Sequence, residues 1–148
     1  MERTILLGRR SAMALVVGVM LTSAVAVTPD MRAEAASLPL AGAWVAEDIG
    51  GGGVIDNLQT TLEISADGKV SGSGGCNRFT GSATIEGNSI RFGDLASTMM
   101  ACEEAAMDQE VKFHDALEAT RAFSVDAEQR KLFLTDEAGK VLVQFSAK

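Results

Sequence analysis

From Leu40 onward the apolar segments are short, and Gly, Asn, Asp or Ser interrupts them within about eight to twelve residues. That rhythm is the one an antiparallel sheet requires, because strands of this length joined by tight turns pair with their neighbours. "GAWVAEDI" at 42–49 is predicted as the first strand, with Trp44 its largest apolar side chain. "QTTLEIS" at 59–65 alternates Thr60, Leu62 and Ile64 against polar neighbours, and Asp67-Gly68 turns the chain back as a hairpin. A second tight turn is predicted at Glu86-Gly87-Asn88. Three closing strands follow, "AFSVD", "KLFLTD" and "KVLVQFS", the last two joined by a turn at Asp136-Glu137-Ala138-Gly139.

One segment breaks this rhythm. Over 104–121, "EAAMDQEVKFHDALEATR", the residues Met107, Val111, His114 and Leu117 recur at helical spacing, and Phe113 widens the apolar stripe. Glu103, Glu104 and Asp108 at its start and Arg121 at its end complement the helix dipole. The expected architecture is therefore α+β, a single domain in which a strongly curved antiparallel β-sheet carries one principal α-helix packed on it.

The N-terminal 35 residues have a different character. "MERTILLGRR" supplies three arginines, and "SAMALVVGVMLTSAVAV" follows as an apolar run shorter than the roughly 20 residues a membrane span needs. Two sites suit cleavage after small residues, Ala26 and Ala35, and the second leaves a mature domain at 36–148. Residues 1–35 are expected to be a signal peptide for general secretion; the Arg9-Arg10 pair lacks the apolar pattern that follows a twin-arginine signal. No cysteine lies there to carry a lipid, so the processed protein is expected in the periplasm or medium, as a monomer with no stable membrane anchor.

The whole chain carries a net charge of −7, and removal of the arginine-rich leader leaves the rest more acidic still. Nucleic acid is excluded as a partner, because its binding draws on Lys and Arg at phosphates. Anionic lipid headgroups are disfavoured on the same ground. The simplest role of the acidity is solubility, with recognition of a basic partner as the alternative. "GGGG" at 50–53 forms a flexible loop, and no Lys, Ser or Thr follows it in the spacing of a nucleotide-binding loop.

The densest motif is "GSGGCNRFTGSA" at 72–83, where one of only two cysteines sits among small residues. Together with "STMMACEEAAMDQEVKF" at 97–113 it resembles the META domain, the HslJ-like family of small secreted bacterial proteins and lipoproteins. The family pattern pairs a G-C-N-x-[FY]-x-G segment with a T-x-M-A-C segment leading into a helix that often carries a Glu. Here it falls on Gly75, Cys76, Asn77, Phe79 and Gly81, then on Thr98, Met100, Ala101, Cys102 and Glu110. The resemblance runs from about Leu40 to Phe145. It implies association with heat shock, novobiocin tolerance or, in distant relatives, virulence and secretion, and it implies no reaction. The chain departs from many members in lacking the lipidated cysteine.

Read chemically, Gly72, Gly74, Gly75 and Gly81 point to a bulge, a sharp bend or the close approach of another backbone. Asn77 is expected to make a turn by bonding to its own main chain, Arg78 to be solvated and Phe79 to be core. An exported chain with an even cysteine count favours a Cys76–Cys102 disulfide; buried unpaired thiols and a reactive pair are the alternatives. The sole histidine, His114, falls on the apolar side of the helix, so packing is expected rather than metal ligation. Pairing of His114 with Cys102 or a serine as nucleophile lacks any flanking motif. Glu103, Glu104, Asp108 and Glu110 are assigned to the dipole and to solvation rather than to acid–base catalysis.

These residues predict no enzyme, cofactor or metal site. The leading expectation is a non-enzymatic exported domain that supports envelope stress or novobiocin-type tolerance by binding an unknown protein or small-molecule partner. Two alternatives stand beside it. Cys76 and Cys102 could cycle as a thiol-redox pair, or a mobile loop at 50–57 could inhibit an exported hydrolase.

Overall fold

The computed structural model describes residues 40–148, and the leader expected at 1–35 lies outside them. Nine strands and one helix follow in chain order. The strands are β1 (Gly42–Ile49), β2 (Thr61–Ile64), β3 (Lys69–Ser73), β4 (Arg78–Glu86), β5 (Ser89–Phe92) and β6 (Ala96–Ser97), then β7 (Ala122–Asp126), β8 (Lys131–Thr135) and β9 (Val141–Ala147). The helix α1 (Glu104–Ala119) stands between β6 and β7.

All pairings are antiparallel, in the order β3-β2-β1-β9-β8-β7-β5-β4-β6, and β3 also pairs with β4. That last ladder, from Lys69↔Ser82 to Ser73↔Arg78, closes the sheet on itself. The expected curvature is thus carried through to a closed ring, which leaves fewer unpaired edges than an open sheet. The ring is thinnest between β5 and β7, where Ser89↔Ala122 is the one register pair. Backbone bonds from Ile90 N to Arg121 O (3.1 Å) and from Phe123 N to Asn88 O (2.9 Å) complete the join.

Alternation places Leu62, Ile64, Val70, Phe79, Ile90, Leu132, Leu134, Val143 and Phe145 on the inner face, all buried. Trp44 joins them and resolves its one polar atom by donating Nε1–H to the Leu40 carbonyl at 2.9 Å. The helix packs against β1, β5 and β9 and adds Phe113 and Leu117 to this core. The rings of Phe113 and Phe145 meet edge-on at 6.2 Å, and those of Phe79 and Phe113 lie tilted to one another at 5.8 Å.

The helical stripe is rotated from the one the spacing suggested. Gln109, Phe113, Ala116 and Leu117 are buried, whereas Met107 and Val111 are exposed and His114 is half-buried. Apolar periodicity counts Met and Val as core and Gln as surface, but Gln109 and Glu110 turn inward to bond to the segments that precede β2 and β4. Arg121 lies just past the helix and caps it, its Nη1 donating to the carbonyls of Glu118 and Thr120 at 2.7 Å each.

The motif glycines permit close approach, and the strand irregularities lie elsewhere, at Ala46/Asp48 in β1 and at Leu134/Thr135 in β8. A Cβ on Gly72 would collide with the Thr61 carbonyl oxygen and meet Phe79 Cζ at 2.7 Å; one on Gly81 would meet Leu95 Cδ2 at 2.6 Å. The Gly72→Ala variant should therefore lose about 1–3 kcal/mol of stability through overpacking. Gly52→Ala, whose Cβ finds nothing nearer than 3.6 Å, should lose much less in the same urea titration.

On the outer face, Glu47 Oε2 accepts from Lys131 Nζ at 2.7 Å and from Gln144 Nε2 at 2.9 Å. These bonds hold the Glu47 carboxyl below its ordinary value of 4.5. Because the folded state prefers the ionised form, this contribution is present above pH 4.5 and fades as the pH falls through the lower folded value. Glu47→Gln should cost about 0.2–1 kcal/mol at neutral pH and converge on wild type in acid, as read from urea midpoints across that range.

Candidate functional site

The motif halves meet between the turn preceding β4, the segment after β6 and the start of α1. Cys76 and Cys102 form a disulfide with their Cα atoms 6.0 Å apart. Asn77 lies beside it, 5% exposed. Its Oδ1 accepts from Met100 N at 2.7 Å and Thr98 Oγ1 at 3.0 Å, and its Nδ2 donates to Met100 O at 3.3 Å and Glu110 Oε1 at 2.8 Å. An amide side chain can donate two hydrogen bonds and accept more than one, and both ends of this one are engaged.

Asn77 lies in a turn as expected, with Gly74 N donating to its carbonyl at 2.9 Å between β3 and β4, but its side chain makes a cross-link instead of bonding to its own main chain. The side chain spends its bonds on the 98–100 segment and the helix and leaves its own backbone alone, because partners distant in sequence compete for it successfully. Thr98 extends the link, its Oγ1 accepting from Arg78 N at 3.2 Å and its backbone N donating to Arg78 O at 3.0 Å.

Glu110 is likewise relocated. The dipole-and-solvation role assigned to it gives way to a specific one: Oε2 accepts the backbone N–H groups of Cys76 (3.1 Å) and Asn77 (2.5 Å). Gly74 makes room for this, since a Cβ there would lie 2.5 Å from Glu110 Cγ. Glu103, Glu104 and Asp108 remain exposed, as expected of a helix start.

The preceding helix residue makes a second staple that the sequence reading missed. Gln109 Nε2 donates to Thr60 Oγ1 at 3.0 Å, Thr60 Oγ1 donates to Gly74 O at 2.9 Å, and Gln109 Oε1 accepts from Ile55 N at 2.7 Å. A glutamine in phase with Phe113 and Leu117 was the available signal.

The glycine loop anticipated as the mobile element of an inhibitor is tied at several points. Asp48 accepts from Gly51 N and Gly53 N at 2.7 and 2.6 Å, Gly50 N donates to Leu142 O at 2.8 Å, and Gln109 holds Ile55. Between this loop and α1 lies a depression of about 300 Å³ whose walls include Ile49, Val54, Ile55 and Lys112.

His114 packs edge-on against Phe79 at 5.3 Å, and its Nε2 is buried without a hydrogen-bond partner. It borders an opening of about 390 Å³ shared with Phe92, Asp94, Leu95 and Glu118. Among the described residues, no three His, Cys, Asp or Glu side chains are grouped to hold a metal ion.

Large apolar side chains are exposed beside the cross-links. Met99 and Met100 are 97% and 58% exposed on the segment tied to Asn77, and Met107 and Val111, one helical turn apart beside Glu110, are 42% and 58% exposed. Glu103, Glu104 and Asp108 border them.

The META domain family profile matches residues 36–148. The chain belongs to the META domain family. Among solved structures, an NMR structure of a protein from Burkholderia xenovorans is 24% identical, with a TM-score of 0.62 over 74% of this chain and 83% of that one. A crystal structure of a DUF4847 family protein from Bacteroides vulgatus is 17% identical, with a TM-score of 0.56 over 75% of this chain and 95% of that one. At these identities the likeness is one of fold. No curated protein sequence matches the chain. Within this META domain the family motif converges on one node, with Asn77 at its centre and Glu110, Thr98, Met100 and the disulfide around it.

Glu110→Gln should cost about 1–3 kcal/mol, because a carboxamide cannot accept at both oxygen positions and one bonded group is left unpaired. Replacing both cysteines by alanine should cost about 3.5 kcal/mol in the chain-entropy picture. The two losses should be non-additive by about 0.5 kcal/mol or more in a double-mutant cycle of urea unfolding, since both act on the position of Cys76 and Asn77.

Proposed function

We propose that this META-domain protein is an exported, non-enzymatic binding module that supports envelope stress tolerance through an apolar contact rimmed by acidic groups. The observation that carries the reading is the exposed set Met99, Met100, Met107 and Val111 on a segment and helix held in place by Asn77, Glu110 and the Cys76–Cys102 bridge. Exposed large apolar side chains close together in the chain are a feature of interaction surfaces. A rigid support lowers the entropy lost on binding.

Charge narrows the partner. Glu103, Glu104 and Asp108 flank the patch, and the chain as a whole is acidic. The complementary surface is an apolar one edged with Lys or Arg. Export is supported by the signal-like leader in the sequence and by the disulfide, which persists in oxidising compartments. Among the described residues no helix is long and apolar enough to cross a membrane.

The thiol-redox alternative needs a readily reduced bridge. A reduction potential below about −300 mV would mark the bridge as structural and remove that alternative.

Deleting the gene should sensitise the host to heat, novobiocin or detergent, and the wild-type chain should restore tolerance. Val111→Glu should fold normally, since the position is exposed and Glu suits a helix at least as well as Val, yet fail to restore tolerance. Unchanged sensitivity of the deletion strain, or full rescue by Val111→Glu, would count against the proposal.

A further inference from the structure

All three methionines among the described residues are exposed: Met99, Met100 and Met107 at 97%, 58% and 42%. Methionine is ordinarily among the buried residue types, and the core of this domain uses none. Other readily oxidised groups are sequestered. Cys76 and Cys102 are bridged with no free cysteine, the chain has no tyrosine, and Trp44 is 5% exposed with its indole N–H engaged. Two-electron oxidants reaching this surface therefore meet thioethers first.

We propose that Met99, Met100 and Met107 form a sulfoxidation site, taking oxygen from peroxides and releasing the partner as the surface turns polar. The release step rests on the binding reading above; the oxidation step does not. A thioether sulfur lone pair attacks one oxygen of hydrogen peroxide, the O–O bond breaks as the S–O bond forms, and the departing hydroxide takes the proton from the oxygen now on sulfur to leave as water. Sulfur is oxidised by two electrons and the peroxide is reduced by two. Each sulfoxide replaces a flexible apolar tip with a strong dipole, and sulfoxide reductases can reverse the change.

The fold is insulated from this chemistry. Met100 is held through its backbone, its N–H bonded to Asn77 Oδ1 and its carbonyl to Asn77 Nδ2, so its side chain can change without disturbing the node. Met107 is on the solvent side of α1, away from Phe113 and Leu117.

The test is graded hydrogen peroxide on the folded, disulfide-intact protein, followed by peptide mapping and by complementation with two triple variants. Oxygen should appear at Met99 first, then Met100 and Met107, before any change in thermal midpoint or at Trp44. The Met99→Leu, Met100→Leu and Met107→Leu triple variant should take up no oxygen at these positions, and peroxide should leave its level of rescue unchanged while lowering that of the wild type. The corresponding triple Met→Gln variant, which imitates the polarity of the sulfoxide, should lose rescue. Unfolding or Trp44 oxidation ahead of the methionines would overturn the site itself. Full rescue by the glutamine variant would overturn the release step. The binding reading would then survive only if Val111→Glu still failed to rescue.

Discussion

One carboxylate fixes the relation between the helix and the sheet. Glu110 accepts the backbone N–H groups of two successive residues, Cys76 and Asn77, where the chain turns into β4. Without it these part-buried donors would face a helix that offers them no acceptor, at a cost of up to about 1–3 kcal/mol for each unpaired group. The same contact decides which side of α1 faces the core. Gln109, one residue earlier, is thereby brought to Thr60, and Phe113 to Phe79 and Phe145. The outward position of Met107 and Val111 follows from the same rotation.

Asn77 and the disulfide then work on a single segment from two sides. The bridge limits how far 98–102 can depart from β4, and the asparagine amide fixes the path of Met100 through both of its backbone polar groups. A covalent tether alone leaves a chain free to swing, and hydrogen bonds alone can exchange with water. Used together they define a short exposed segment without burying its side chains, and the meeting of the family motif at this point has a physical basis.

Much of the fold was legible because strand alternation and turn chemistry act locally. Asp67-Gly68 and Glu86-Gly87-Asn88 join hairpins, and β1 runs over 42–49 as its pattern indicated. Closure of the sheet was not legible, since the β3–β4 and β1–β9 ladders depend on where distant strands arrive. The helix was recognised but its rotation was not: hydrophobic spacing favoured Met107 and Val111 over Gln109, whose burial is offset by bonds to residues distant in sequence, the Thr60 hydroxyl and the Ile55 amide. At the node, the family resemblance located the residues while local rules misjudged two of them. Asn77 and Glu110 were read by their effects on their own backbone and helix, and both are engaged with other elements.

The closed ring is uneven around its circumference. The β1–β9 ladder and the β8–β9 ladder each carry five register pairs, whereas β5 meets β7 through one. Strain applied to a cylinder concentrates at its narrowest seam, and amides beside that seam are the ones whose shelter from solvent is lost in the smallest opening. Ile90 and Phe123, whose N–H groups complete the join, are the hinges of such an opening. Their hydrogen exchange should therefore be faster than that of the opposite side, built on β1 and β9, whose longer ladders open only in larger unfolding events.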